Sequence, residues 1–199
     1  MRPTVGFALC GSFCTFRKAI DALRALTAQY TVVPIFSDAA WETDTRFGAS
    51  ADFRAAVTAL CGTEPLHTLA QVEPLGPKRL LDLLIVALKY GALPGALDSI
   101  RAITGPHTTI MSLMNGVDSE DIIASAVGGE HLLYSLIKVA SHKEADGFRF
   151  DPDTTLGIIY GELAAPFESE RVQAVAALFE GTGVRFRATE HIRELSLIH

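Results

Sequence analysis

Short apolar runs alternate along this chain with segments whose apolar residues recur every three or four positions. The first run, TVGFAL at 4–9, is followed by Phe16, Ile20, Leu23 and Leu26, which form one apolar stripe of a helix. Further runs that predict strands are 30–36, 80–88, 107–114 and 131–140. Strands that alternate with helices are typical of a mostly parallel sheet with helices on both faces. The pattern therefore predicts an α/β three-layer sandwich.

The remaining elements follow from the same signals. Helices are predicted at 53–62, 93–103, 119–127 and 169–183, hairpin strands within 147–161, a last strand at 184–190 and a polar loop at 38–49. Ser119 is the predicted N-cap of the helix at 119–127. Residues 63–80 hold at most a short strand. Because this segment decides where the third strand goes, the flavodoxin-like order 2-1-3-4-5 and the Rossmann order 3-2-1-4-5-6 both stay open.

Composition narrows the class of protein. The chain has 199 residues, 49% of them hydrophobic and 20% charged, with a net charge of -6. A folded domain is expected, and the absence of a basic run argues against a nucleic-acid partner. No apolar stretch approaches the roughly 18 residues of a membrane span, and no signal peptide is recognisable, so we expect a cytoplasmic protein without membrane contact. The partner expected is a small-molecule nucleotide.

The cysteines do not predict a disulfide framework or a metal site. Cys10, Cys14 and Cys61 are an odd number without regular spacing. A metal held by Cys10 and Cys14 would need a second pair of ligands, and the six histidines are scattered along the chain. Small side chains packed around a turn are the favoured interpretation, and no metal is predicted.

The stretch CGSFCT at 10–15 follows the first strand and opens the first helix. Gly11 lets the backbone approach a ligand, while Ser12 and Thr15 add hydroxyl donors at a helix N-terminus. These features predict a phosphate site, although a capped helix start with nothing bound fits the same residues. The G-x-G-x-x-G spacing of a dinucleotide site is missing. A mononucleotide such as FMN, with one terminal phosphate, suits this turn better.

Residues 5–87 resemble the family of the dipicolinate synthase B subunit, within the flavoprotein superfamily. The stretches that carry the resemblance are VGFALCGSFCTF, VVPIFSDAAWETDTRFG and EPLGPKRLLDLLIVA. The resemblance implies that Gly11, Ser12 and Thr15 bind the flavin phosphate and that Ser37 contacts FMN. The pattern breaks after Ala87, where those flavoproteins continue with a Pro-Cys-Thr-type loop and this chain reads LKYGALPGAL.

Residues 82–194 resemble the ketopantoate reductase family instead. The matching stretches include LLIVALKY, TTIMSLMNGVDSEDIIASAVGGEHLLY, GIIYGEL and SERVQAVAALFEGTGV. The resemblance implies a Rossmann domain for NADPH, with Lys89 near the cofactor and Asn115 and Gly116 near the nicotinamide and substrate. Taken alone, Lys89 also fits a solvated lysine, and Asn115-Gly116 fits a plain turn.

Two departures from the reductase pattern bear on activity. The opening turn lacks G-x-G-x-x-G, with Phe13 and Cys14 adding bulk where the backbone should approach the pyrophosphate. The family's catalytic lysine and its substrate-binding acid lie beyond the stretch that resembles HIRELSLIH. Because ketone reduction needs a proton donor beside the developing alkoxide, we expect no ketopantoate reduction and assign no catalytic residue.

The two resemblances meet inside the run LLDLLIVAL. We therefore expect one α/β domain over 1–199, a flavodoxin-like/Rossmann-like hybrid made of a flavoprotein-like half, 1–87, and a reductase-like half, 88–199. This suggests an engineered chimera, a scaffold that requires no cofactor and binds FMN or phosphate weakly. The alternatives are an NADPH-dependent 2-dehydropantoate 2-reductase-type domain and an FMN flavoprotein of the dipicolinate synthase type. Apolar surface near 186–199 would favour a homodimer.

Overall fold

The computed structural model describes residues 2, 4–9, 13, 16–78, 81–88, 90–114, 118–144, 147–151, 153–164 and 166–197. The strands are β1 (Thr4–Leu9), β2 (Thr31–Phe36), β3 (Leu83–Val86), β4 (Thr109–Ser112), β5 (Tyr134–Lys138), β6 (Ser141–Glu144), β7 (Gly147–Phe150), β8 (Gly157–Gly161) and β9 (Phe186–Ala188). The helices are α1 (Phe16–Gln29), α2 (Asp38–Glu42), α3 (Ser50–Cys61), α4 (Leu69–Val72), α5 (Leu93–Ile103), α6 (Ser119–Val127), α7 (Glu170–Phe179) and α8 (Ile192–Leu197).

A mostly parallel four-stranded sheet with the order β2-β1-β3-β4 confirms the predicted α/β fold. The position of Leu66 decides between the two strand orders left open by the sequence. Leu66 forms a single parallel bridge with Ile35 of β2, on the side of β2 away from β1. Leu66 donates to the Pro34 carbonyl at 2.8 Å, and Phe36 donates to the Leu66 carbonyl at 2.7 Å. The third strand of the Rossmann order is thus reduced to one residue beside β2, which excludes the flavodoxin-like order.

The chain divides into two compact units, Met1–Leu84 with Pro94–Thr108 and Ile85–Leu93 with Thr109–His199. In the first unit, β1 and β2 pair in parallel over their full length, from Thr4 opposite Thr31 to Leu9 opposite Phe36. Three residues of the apolar stripe predicted for α1 are buried, Phe16, Ile20 and Leu23, whereas Leu26 is half-buried. The predicted polar loop at 38–49 is wrong in its first part, because α2 occupies Asp38–Glu42.

The second unit contains a three-stranded sheet with the order β5-β8-β9. The strand β8 pairs antiparallel with β5 and parallel with β9. The hairpin predicted within 147–161 is therefore wrong: β7 pairs with β6 instead, and β8 belongs to a different sheet. All five residues of β8 are buried, so this strand behaves as a core strand rather than as half of a surface hairpin.

The apolar surface predicted near 186–199 can be compared with the structure only for the side chains up to residue 196. Ile192 is buried and Leu195 is half-buried. The apolar surface expected near 186–199 stays a prediction, because Leu197 and Ile198 lie outside the described side chains. The exposed large apolar residues of the second unit include Ile137, Val139 and Leu156. None of the described helices combines the length and the apolar character needed to cross a membrane.

Candidate functional site

The ends of β1 and β2 define the edge where the sequence placed its candidate residues. The two strands are parallel and in register, so Leu9 and Phe36 end side by side. Ser37 follows at once, and its backbone N–H donates to the Leu9 carbonyl at 3.0 Å. In sheets of this kind ligands bind beyond the carboxyl ends of the strands. Ser37 therefore lies on the edge that such a ligand would meet.

Ser37 is the one candidate residue that the structure describes. Its hydroxyl oxygen accepts a hydrogen bond from the Ala40 N–H at 3.2 Å, which makes Ser37 the N-cap of α2. The other predicted site residues lie outside the described part of the chain: Gly11, Ser12, Thr15, Lys89 and Asn115. Their proposed roles stay predictions.

An aromatic cluster lies directly beneath this edge. Phe16, the first residue of α1, is 1% exposed. Its ring centre is 5.1 Å from that of Phe13, 6.4 Å from that of Phe36 and 5.1 Å from that of Phe53. Sequence reasoning treated Phe13 only as bulk in the turn. The contact with Phe16 instead gives Phe13 a packing role, because edge and tilted aromatic pairs are stabilising.

Trp41 of α2 is held between two other side chains. The His67 ring stacks on Trp41 with the ring centres 3.7 Å apart and the planes 6° apart. The Arg54 guanidinium lies over the Trp41 ring, with its carbon 4.4 Å from the ring centre. A groove of about 520 Å³ beside Trp41 is also lined by Arg54 and Glu64. Sequence reasoning missed this group, although a single tryptophan inside a polar stretch was a signal.

In the second unit, a hydrogen bond joins the neighbours of two other candidate segments. Tyr90 comes directly after Lys89, and Asp118 follows the stretch 115–117. The Tyr90 hydroxyl donates to the Asp118 carboxylate at 2.7 Å. This hydrogen bond, with burial and the Asp118 charge as further causes, raises the pKa of Tyr90. The residue directly after Lys89 and the residue directly after the stretch 115–117 are therefore joined by a hydrogen bond.

A buried carboxyl group stands at the start of α6. Glu120 is 5% exposed, and its carboxylate accepts a hydrogen bond from the Ser119 hydroxyl at 2.7 Å. The Ser119 and Ser112 hydroxyls are 2.9 Å apart, and the Ser135 hydroxyl donates to the Ser112 carbonyl at 3.0 Å. Burial raises the pKa of Glu120, against hydrogen bonds that lower it. The network links the end of β4, the start of α6 and β5.

This network corrects one prediction and leaves another untested. Ser119 is not the N-cap of α6: that position belongs to Asp118, whose side chain makes no capping bond. The Ser119 hydroxyl is committed to Ser112 and Glu120 instead. Within the described residues, no three His, Cys, Asp or Glu side chains are grouped so as to hold a metal ion.

Comparison with known proteins finds both resemblances that the sequence predicted. The family model for ketopantoate reductase PanE/ApbA matches residues 26–153, a range that runs through residue 87, where the predicted halves meet. The B subunit of dipicolinate synthase from Bacillus subtilis (strain 168) is 33% identical over 84 residues, 42% of this chain and 42% of that protein. The chain thus spans less than half of this curated relative.

Solved structures share the fold over nearly the whole chain. The 2-dehydropantoate 2-reductase from Porphyromonas gingivalis W83 has a TM-score of 0.62 at 17% identity, covering 98% of this chain and 67% of that one. Prephenate dehydrogenase from Aquifex aeolicus, in complex with hydroxyphenyl propionate and NAD+, has a TM-score of 0.54 at 12% identity. It covers 98% of this chain and 62% of that one. At these identities the likeness is one of fold.

Proposed function

Since the chain belongs to the ketopantoate reductase PanE/ApbA family, we propose that it is the dinucleotide-binding part of a nicotinamide-dependent oxidoreductase. The match to the family over residues 26–153 carries this proposal. The strand order around β1 supports it, because the Rossmann order creates a ligand crevice at the carboxyl ends of the central strands. Prephenate dehydrogenase from Aquifex aeolicus, which shares the fold of this chain, was solved in complex with hydroxyphenyl propionate and NAD+.

We propose that successive segments of the chain bind successive parts of the dinucleotide. The turn 10–15, with Gly11 and Ser12, would receive the pyrophosphate after β1, and Ser37 would lie at the adenosine end. Lys89 and Asn115 would lie towards the nicotinamide, as the resemblance to the family implies. The hydrogen bond between Tyr90 and Asp118 supports the pairing of these last two segments, because it joins their immediate neighbours.

For the oxidoreductase of which this chain would be the dinucleotide-binding part, the reaction class we propose is reduction of a 2-oxo acid. Hydride would come from a nicotinamide cofactor when one is bound, and a proton donor would be needed beside the oxygen that becomes an alkoxide. Among this chain's residues, Lys89 is our proposed positioning group for cofactor or substrate. We assign the proton donor to no residue of the chain. Ketopantoate is the substrate to test first, because the family carries its name.

Binding can be measured with a probe that the chain already contains. Trp41 is the only tryptophan, and it lies four residues after Ser37. Energy transfer from Trp41 to a bound reduced nicotinamide should quench tryptophan emission and excite the nicotinamide. We expect a saturable signal with micromolar affinity for NADH or NADPH, confirmed by isothermal titration calorimetry. Folded protein that binds neither cofactor at millimolar concentration would refute the proposal.

The identity to the dipicolinate synthase B subunit favours one second candidate, the chimeric scaffold that binds FMN or phosphate weakly. The two candidates differ in whether they bind FMN or the nicotinamide dinucleotide more tightly. The scaffold should bind FMN at least as tightly as NADH. The oxidoreductase part should bind the dinucleotide more tightly than FMN, so one set of titrations separates them.

A further inference from the structure

The adenosine end of the proposed site is built from the residues that follow β2. In Rossmann-type folds, an acidic side chain there accepts hydrogen bonds from the ribose hydroxyls of NAD, whereas an arginine nearby accommodates the 2′-phosphate of NADP. Ser37 occupies the first position after β2, and its N–H is bonded to Leu9 at the end of β1. Its hydroxyl faces the turn of α2, where it accepts from Ala40. Ser37 thus offers no positive charge.

The positions after Ser37 carry negative charge. Residues 37–45 read SDAAWETDT, with three acids, Asp38, Glu42 and Asp44, and no lysine, arginine or histidine. Asp38 is exposed and is the first residue of α2. Asp44 accepts hydrogen bonds from the Ser50 N–H at 2.8 Å and from the Ser50 hydroxyl at 3.1 Å, which together lower its pKa.

The first cations further along the chain are held over aromatic rings. The Arg46 guanidinium carbon is 4.8 Å from the ring centre of Phe47. The Arg54 guanidinium lies over Trp41, whose ring also stacks with His67. Cation–π contacts of this kind hold a guanidinium against its ring. In the sequence after β2, Asp38 therefore precedes both arginines, and each arginine already lies over an aromatic ring.

We propose that this chain selects NAD(H) over NADP(H), with Asp38 as the residue that sets the choice. The proposal rests on the proposed function, since it concerns the same cofactor site. The Asp38 carboxylate accepts hydrogen bonds from the ribose hydroxyls of NAD(H). A 2′-phosphate carries about 1.5 to 2 negative charges and is repelled, so NADH should bind at least about tenfold more tightly than NADPH at low salt.

The experiment compares NADH and NADPH by energy transfer from Trp41 and by calorimetry, at low and at physiological ionic strength. The variant Asp38→Asn keeps the size of the side chain and removes its charge, and it should reduce the NADH preference by about threefold or more. Asp98→Asn is the matched control, because Asp98 is an exposed acid paired with Arg101 in α5, at 2.7 Å. This control should leave the preference unchanged.

The possible results separate the two proposals. NADH preference in the wild type that falls in Asp38→Asn, and also falls with added salt, supports the inference. Equal or tighter binding of NADPH overturns it while leaving the proposed function standing, and loss of that binding in Arg46→Gln would show which cation holds the phosphate. A preference that Asp38→Asn does not change overturns the role of Asp38. Failure to bind either cofactor overturns both proposals.

Discussion

Gly157, at the start of β8, is the position where one added methyl group should do most damage. Its φ angle is +80°, a backbone conformation that favours glycine. A Cβ atom there would overlap the carbonyl oxygen of Arg185. That same oxygen accepts the backbone hydrogen bond from Ile158 at 2.9 Å, just before β9. The substitution Gly157→Ala must therefore push β8 and the chain before β9 apart.

Three costs add at this position. Alanine in a left-handed conformation costs about 1 kcal/mol, loss of a buried backbone hydrogen bond about 1 kcal/mol, and overpacking about 2 kcal/mol. We expect Gly157→Ala to lower the free energy of unfolding by about 4 kcal/mol in all. Gly181 is the matched control, since its φ is +76° and its added Cβ would touch nothing within 4 Å. Gly181→Ala should cost only about 1 kcal/mol.

The assay is urea denaturation followed by far-ultraviolet circular dichroism, with amide hydrogen exchange at Ile158 to locate the change. Exchange at Ile158 should accelerate in Gly157→Ala and stay at the wild-type rate in Gly181→Ala. Equal destabilisation by the two variants would show that the φ angle alone matters. The clash of the added Cβ with the Arg185 carbonyl oxygen would then contribute nothing to the loss of stability, and the steric argument would be refuted.

Three further predictions concern buried polar groups of the second unit. Burial raises the pKa of the Glu120 carboxyl group in the folded protein. The free energy of unfolding should therefore fall as the pH rises from the unperturbed value of 4.5 through the pKa of Glu120 in the folded state. Urea denaturation across this pH range should show the fall in the wild type and not in Glu120→Gln. Burial alone would raise the pKa of Glu162, but the hydrogen bonds from Arg171 and Ser169 and the charge of Arg171 outweigh it, so the pKa is lowered. Glu162→Gln should therefore reduce the free energy of unfolding by about 2 kcal/mol near pH 7 and by less in acid. The Tyr160 hydroxyl has no hydrogen-bond partner among the described residues, so Tyr160→Phe should leave the thermal midpoint unchanged or raise it.

Much of the fold could be predicted from local pattern. The bounds of β1 and the apolar stripe of α1 follow from the run 4–9 and from side chains at helical spacing, both of which depend on neighbours in the sequence. Strand pairing depends on distant partners instead. The pattern of 147–161 contains two strand-like runs joined by turn residues, yet β8 is buried between β5 and β9. Tertiary packing therefore decided against the hairpin.

The candidate site was predictable only in part, for similar reasons. That Ser37 lies at the end of β2 follows from the strand prediction, and the structure places it against Leu9. The stacking of Trp41 on His67 could not be predicted, since it depends on how α2 meets a segment 26 positions further along the chain. Ser119 has the residue type of an N-cap, but two buried partners, Ser112 and Glu120, compete for its hydroxyl.

The packing around residue 87 bears on the hypothesis of two joined halves. Gly76 belongs to the predicted first half, and a Cβ atom there would lie 2.7 Å from the Ala102 carbonyl oxygen in the second. A Cβ at Gly105 would in turn lie 2.6 Å from the carbonyl oxygen of Gly76. The buried Thr108 hydroxyl donates to the Leu81 carbonyl at 2.8 Å. Backbones that approach this closely need glycine on both sides, and unrelated segments have no reason to supply both. The fit therefore favours two segments that were shaped together, in agreement with a family match that spans residues 26–153 and so includes residue 87.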